Sequence, residues 1–213
     1  MFKIKKYWND VYLATFDTQY NMNRTMIRFQ EYYESPQFKD KVFFLKEFKE
    51  WYIKNSTNGK KTGKFTYYKD WNGCNVPVKT ILDFISKCNK LTKPETELFI
   101  ELANEVPKDA YLIATHTNYK NRNQALIHEL AHALFRNKRY HRKVDTMMRG
   151  HNDCAKTWMY VYKLGYHDSV FLDELQAYMI SGYPGSEPTK LQERMRKYFE
   201  TKVDMKKLKL KWE

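Results

Sequence analysis

The sequence predicts an α+β fold in which a small mixed or antiparallel sheet is followed by several further helices. Two observations lead to this prediction. Segments dense in β-branched and aromatic residues, at 10–17, 65–68 and 110–115, have the composition of strands. Apolar residues recur at helical spacing over 22–33 and again over 123–136.

The elements of the N-terminal part follow from local composition. Ser35-Pro36 interrupts the first helical pattern and predicts its end. Residues 54–64 are rich in glycine, asparagine and lysine, so we expect a loop or the tip of a hairpin there. Trp71-Asn72-Gly73 predicts a turn after the expected strand 65–68.

The later elements begin with a helix opened by a capping box, Thr92-x-x-Glu95. A strand at 110–115 and a polar loop then precede the helix 123–136, which Asn121 and Gln124 can cap. The length of 213 residues suits one domain, or one domain with a modest N-terminal subdomain. We expect an N-terminal α+β subdomain over 1–90 and a site-bearing portion over 91–213, continuous with it.

Composition narrows the classes of partner. The chain has 38 Lys and Arg against 25 Asp and Glu, a net charge of +13. This excess can indicate a nucleic acid or an acidic partner. We favour a lysine-rich solvated surface, because no recognition motif accompanies the charge. The N-terminus lacks the apolar stretch of a signal peptide, and no apolar run is long enough to span a membrane. Three widely spaced cysteines form no disulfide framework, so we expect a cytoplasmic protein.

The helix 123–136 carries the segment HELAH at 128–132, which is the motif HExxH. His128 and His132 are four residues apart and therefore lie on one helix face, one turn from each other. That spacing suits a tetrahedral Zn²⁺ ion bound by two imidazole nitrogens. Glu129 follows the first histidine, where a carboxylate can take a proton from a zinc-activated water and act as general base.

These residues resemble the zincin superfamily of zinc metallopeptidases. The resemblance covers about residues 108–180 and implies a zincin-like fold. In that fold an edge strand precedes the HExxH helix and pairs with extended substrate, and the segment 110–115 is where this strand is expected. Residues 1–90 resemble parts of small phage and bacterial proteins.

A catalytic zinc ion needs a third protein ligand. The metzincin extension of the motif fails here, because Phe135 and Lys138 replace its glycine and last histidine. Glu174, on a helix predicted after Asp168, resembles the third ligand of gluzincins, although Tyr178 stands where that family has an aspartate. His151 is the alternative. It resembles the Gly-His ligand segment of SprT-like proteases, although Asn152 departs from that pattern.

Other residues can assist the reaction. Tyr178 lies one helical turn after Glu174 and is the leading candidate to stabilise an oxyanion, ahead of His116, His141, Tyr166 and His167. Asp173 can hydrogen-bond to the imidazole of a metal-ligating histidine and orient it.

The sequence therefore predicts a zinc metallopeptidase that acts on a protein or peptide substrate. Two alternatives stay open. One is a SprT-like protease of DNA-associated proteins that uses His151, and the other is a zinc-stabilised binding protein without turnover.

Overall fold

The computed structural model describes residues 2–164, 166 and 168–212. The chain forms two compact units, Met1–Lys120 and Asn121–Glu213. The boundary lies after the last strand of the sheet and not near residue 90, because the segment expected at 110–115 pairs with strands of the N-terminal part. The first unit therefore contains the whole sheet.

The sheet has four strands in the order β1-β2-β4-β3. Their bounds are Phe2–Trp8 (β1), Val11–Phe16 (β2), Gly73–Pro77 (β3) and Tyr111–His116 (β4). The pairs β1–β2 and β3–β4 are antiparallel and the pair β2–β4 is parallel, so the sheet is mixed. The α+β fold with a small mixed sheet is thus confirmed.

The prediction that residues 110–115 form an edge strand is wrong. β4 lies inside the sheet, between β2 and β3, and all six of its residues are buried. The physical reason is its continuous apolar sequence, YLIAT, which is typical of a strand covered on both faces. Both backbone edges of β4 are occupied, so β4 cannot add a substrate strand.

Five helices complete the first unit: α1 (Gln19–Glu34), α2 (Leu45–Asn55), α3 (Thr57–Thr62), α4 (Val78–Lys87) and α5 (Lys93–Glu105). The predicted start of α5 is confirmed, and the Thr92 amide donates to the Glu95 carboxylate at 2.7 Å. Buried residues of α1, including Met22, Met26 and Phe29, share one core cluster with buried residues of the sheet.

Two local predictions for this unit are wrong. Residues 54–64 contain the end of α2 and the helix α3, because the Ser56 hydroxyl caps the Gly59 amide and Gly63 ends the helix with φ +66°. Residues 65–68 enter a 3₁₀ turn whose aromatic side chains pack in a second core cluster instead of a sheet. The expected turn at 71–73 leads directly into β3, which begins at Gly73.

The second unit is helical. It consists of α6 (Arg122–Phe135), α7 (Lys138–Met148), α8 (Ala155–Leu164), α9 (Asp168–Ser181) and α10 (Lys190–Glu200). The helices α6 and α9 pack against each other, and both are predicted from the sequence. Within the described residues, no helix combines the length and the apolar character that crossing a bilayer requires.

Candidate metal centre

Two histidines of α6 face each other across one helical turn. Their Nε2 atoms are 3.1 Å apart and their ring centroids are 4.8 Å apart. His132 is buried and the His128 side chain is 14% exposed. The rest of α6 explains this placement, because Leu126, Leu130 and Leu134 are buried and orient the helix in the unit.

Glu174 brings a carboxylate from α9 to the same point. Its Oε1 is 3.6 Å from His132 Nε2, and its Oε2 is 3.6 Å from His128 Nε2. Glu174 is 5% exposed, and its Oε2 has no hydrogen-bond partner among the described residues. One ligand atom from each of the three residues lies within 4.8 Å of the other two, and the three could hold a metal ion.

The far side of the His132 ring is fixed by Asp173. The His132 Nδ1 atom is 2.8 Å from Asp173 Oδ1, and Gln176 Nε2 donates to that same oxygen at 3.1 Å. A carboxylate oxygen only accepts hydrogen bonds, so the proton of the neutral ring lies on Nδ1. The Nε2 lone pair of His132 is therefore directed at the cluster.

Ser181 fixes His128 in the same way. Its hydroxyl donates to the Gly182 carbonyl at 3.0 Å and lies 3.2 Å from His128 Nδ1. Because the hydroxyl proton is used on the carbonyl, Nδ1 of the neutral ring donates to Ser181 Oγ. Ser181 is not among the site residues predicted from the sequence. Its spacing of seven residues after Glu174, two turns along the same helix face, is the signal that could have indicated it.

These tautomers leave two nitrogen lone pairs and a carboxylate around one small volume. Lone pairs 3.1 Å apart repel each other unless a positive charge lies between them. The orphaned Oε2 of Glu174 needs the same charge, because an unpartnered buried carboxylate oxygen is costly. Two imidazoles and one carboxylate are a donor set that Zn²⁺ accepts, so the residues fit the ion.

Electrostatics lead to the same conclusion. Burial alone would lower the pKa of His132, but the charges of Asp173, Glu174 and Glu129 outweigh burial and raise this pKa well above its usual value. Burial would raise the pKa of the Glu174 carboxyl, whereas His132, His128 and Tyr166 together lower it. The cluster thus stabilises a positive charge, either as a proton or as a metal cation.

No protein-family model, curated protein or solved structure matches this chain. The chemistry of the site therefore rests on the residues themselves. Glu129 is 6% exposed, and its negative charge contributes to the raised pKa values of both His132 and Tyr178. The charge of Glu129 therefore acts on both His132 and Tyr178.

Tyr178 lies beside the first histidine. Its ring centroid is 4.5 Å from that of His128. Burial raises the pKa of its hydroxyl, and the negative charge of Glu174 raises it further. The phenol therefore stays protonated at neutral pH and can donate a hydrogen bond.

Of the other sequence candidates, Tyr166 hydrogen-bonds to Glu174 and Tyr178. The histidine candidates that the structure describes lie apart from the cluster or serve different purposes. His151 is not one of the grouped ligands; its Nδ1 accepts from the Asp153 amide at 3.4 Å in a short turn. His141 packs its ring on Phe135 at 3.9 Å, and His116 pairs with Asn72 in the first unit. His167 lies outside the described residues.

The predicted capping hydrogen bonds of α6 do not form. Asn121 occupies the N-cap position without a side-chain cap hydrogen bond. Gln124 does not reach back to it, because its amide donates to the Ser181 carbonyl at 3.3 Å. The side chain expected to cap α6 thus ties the start of that helix to the end of α9, next to the site.

Proposed function

We propose that this protein is a zinc-dependent hydrolase that cleaves peptide bonds, with His128, His132 and Glu174 as the metal ligands. The observation that supports this proposal is the convergence of three ligand residues from α6 and α9, of which His132 and Glu174 are buried and His128 is partly buried. The Nδ1 atoms of both imidazoles are already hydrogen-bonded, so the Nε2 atoms are left for the metal. The resemblance to gluzincins implies the same three residues.

Three protein ligands leave one of the four coordination positions of Zn²⁺ open, which is the usual arrangement of a catalytic site. When bound, the ion supplies Lewis-acid chemistry, polarising a carbonyl group and lowering the pKa of a water molecule. A structural zinc site normally has four protein ligands, whereas this group has three among the described residues.

The remaining residues take roles that their positions support. Glu129 accepts a proton from the water as the water oxygen attacks the peptide carbonyl, and returns this proton to the leaving amine nitrogen as the C–N bond breaks. Tyr178 donates a hydrogen bond to the carbonyl oxygen as negative charge develops on it. Asp173 and Ser181 hold the two imidazoles in orientation.

Of the two alternatives, the SprT-like one loses its main support. It needs His151 as a ligand, and the side chain of that residue is 37% exposed and bonded within its own turn. A zinc-binding protein without turnover uses the same three ligands. An activity measurement separates it from the proposed hydrolase.

The decisive experiment replaces the general base and keeps the metal. Glu129→Gln should retain one zinc ion per chain and lose at least about 100-fold in the rate of hydrolysis of an unfolded protein substrate, since general-base catalysis contributes about 10²–10⁴-fold. Zinc content is measured by atomic emission and cleavage by the release of free amines. Glu187→Gln, an exposed glutamate of the same unit, is the matched control.

The outcomes are distinct. A Glu129→Gln variant that cleaves as fast as the wild type removes Glu129 from the mechanism. A wild-type protein that holds zinc and cleaves neither unfolded proteins nor peptides is a zinc-stabilised binding protein. A protein that takes up no metal at all contradicts the proposal entirely.

A further inference from the structure

The helix α9 carries a fully buried glutamine next to the metal centre. Gln176 is 0% exposed, and its Nε2 donates to Asp173 Oδ1 at 3.1 Å. Its Oε1 is also buried and has no hydrogen-bond partner in the described part of the chain. The single described hydrogen bond of this side chain therefore goes to the carboxylate that contacts His132.

The orientation of the Gln176 amide follows from the chemistry of its partner. A carboxylate oxygen only accepts hydrogen bonds, so the Nε2 group must face Asp173. The opposite orientation would place two acceptor oxygens against each other. Because the two residues are three apart on one helix, their side chains are neighbours and can form this contact.

Folding stability does not explain a buried amide at this position. Leaving a buried carbonyl oxygen unpaired costs about as much free energy as one hydrogen bond to a charged group contributes. The neighbours Leu175 and Ala177 are both apolar and buried. An unbranched apolar side chain of similar size, such as methionine, would pack here without an unpaired atom.

The Asp173 carboxylate gains from a second donor. Its plane turns about a broad torsion, and its side chain is 27% exposed, so water competes for its oxygens. Oδ1 accepts from His132 Nδ1 at 2.8 Å and from Gln176 Nε2 at the same time. Two donors at one oxygen restrict the rotation of the carboxylate, and with it the direction of the bond to the imidazole.

We propose that Gln176 is a positioning residue of the metal centre. It fixes the Asp173 carboxylate, which in turn holds the His132 ring with its Nε2 directed at the cation. This inference rests on the proposed role of His132 as a metal ligand. Partners that orient metal-bound histidines commonly affect metal affinity. Gln176 should therefore affect it too, although this residue is not one of the three that could hold the ion.

The test measures zinc affinity and folding stability on the same variants of the full chain. Gln176→Met removes the amide and keeps the volume. In competition with a chromophoric chelator it should weaken zinc binding about two- to tenfold, less than the loss of the carboxylate itself. Its urea midpoint with excess chelator should equal or exceed that of the wild type, because no buried oxygen is left unpaired. The absorption spectrum of bound Co²⁺ should change.

Gln192→Met is the matched control. Gln192 is a second buried glutamine of this unit, at 2% exposure, and its Oε1 accepts from the Thr189 amide at 2.9 Å at the start of α10. Its replacement removes a capping interaction, so the urea midpoint should fall while zinc affinity and the Co²⁺ spectrum stay those of the wild type. A purely structural role of Gln176 would give this same pattern in Gln176→Met.

Two further variants test the route of the effect. Gln176→Asn keeps an amide but is one methylene too short to reach Asp173, so it should weaken zinc binding as Gln176→Met does. In the Asp173→Ala background, Gln176→Met should change zinc affinity by less than about twofold, because Gln176 acts through the carboxylate that is then absent.

Two results would overturn this inference. One is a zinc affinity within about twofold of the wild type in both Gln176→Met and Gln176→Asn. The other is an undiminished effect of Gln176→Met in the Asp173→Ala background. A wild-type protein that binds no zinc contradicts the inference together with the proposed function. A wild-type protein that binds zinc and hydrolyses nothing contradicts the proposed function alone, because the zinc affinities still decide the role of Gln176.

Discussion

Removal of the carboxylate behind His132 tests the metal centre without touching a ligand. Asp173 Oδ1 lies 2.8 Å from His132 Nδ1, and the Asp173 side chain is 27% exposed. In Asp173→Ala the ring loses this acceptor, so either nitrogen can carry the proton and the ring can rotate. Metal binding must then both select the tautomer and orient the ring, at a cost in affinity.

The size of the effect follows from the kind of hydrogen bond. Removing such a partner of a metal-bound histidine typically costs about 10–100-fold in metal affinity, which corresponds to about 1.4–2.7 kcal/mol. The bond to His128 is different, because Ser181 Oγ is a neutral acceptor at 3.2 Å. A neutral hydrogen bond contributes about 0.5–1.5 kcal/mol, so Ser181→Ala should weaken zinc binding only about two- to tenfold.

The assay is competition for Zn²⁺ between the protein and a chromophoric chelator of similar affinity. The absorption spectrum of bound Co²⁺ reports independently on coordination geometry, and it should change in Asp173→Ala. Asp168→Asn, at the exposed start of the same helix, is the matched control and should bind zinc like the wild type. If Asp173→Ala binds zinc as tightly as the control, the orientation of His132 does not depend on this carboxylate and the reasoning is refuted.

Three further predictions concern stability of the first unit. Burial raises the pKa of Glu31 from 4.5 to about 7. The free energy of unfolding should therefore fall by up to about 3 kcal/mol as the pH rises from about 4.5 to about 7. Thermal melts of Glu31→Gln should lack this loss. Glu95 accepts two hydrogen bonds from the buried Arg28. Glu95→Gln should therefore lower the free energy of unfolding, measured with urea, by about 3–5 kcal/mol. A loss under about 1 kcal/mol would contradict this expectation. A Cβ on Gly59 would overlap the Tyr52 carbonyl oxygen. Gly59→Ala should therefore lower the free energy of unfolding by about 1–3 kcal/mol. An unchanged urea midpoint would refute this steric argument.

The parts of the fold that the sequence predicted are those encoded by local pattern. The strand over 10–17, the helix over 22–33 and the helix over 123–136 each have a periodicity that tertiary packing reinforces. Helical spacing alone predicts that His128 and His132 lie close together. It also predicts that Glu174 and Ser181 lie on the same face of α9.

The parts that could not be predicted depend on partners distant in the chain. The β1 strand has a lysine-rich sequence, and its pairing with β2 is visible only in the structure. The interior position of β4 depends on β3, a segment for which the sequence predicted no strand. The aromatic residues 65–68 have strand composition, yet they pack on other rings because an aromatic cluster offers more buried contact than a sheet edge.

The cluster at α6 and α9 is not explained by stability. Glu174 and His132 are both buried, and burying a carboxylate and an imidazole costs free energy that their mutual attraction returns only in part. Several apolar residues near the ligands in sequence, among them Leu130, Ala131 and Ala177, are fully buried. Apolar side chains at the three ligand positions would pack these helices at lower cost. A chain that keeps polar groups there, and adds Asp173 and Ser181 to orient them, departs from the most stable packing at a place where three of the described residues could hold a cation. Such local departures from packing rules are expected at functional sites.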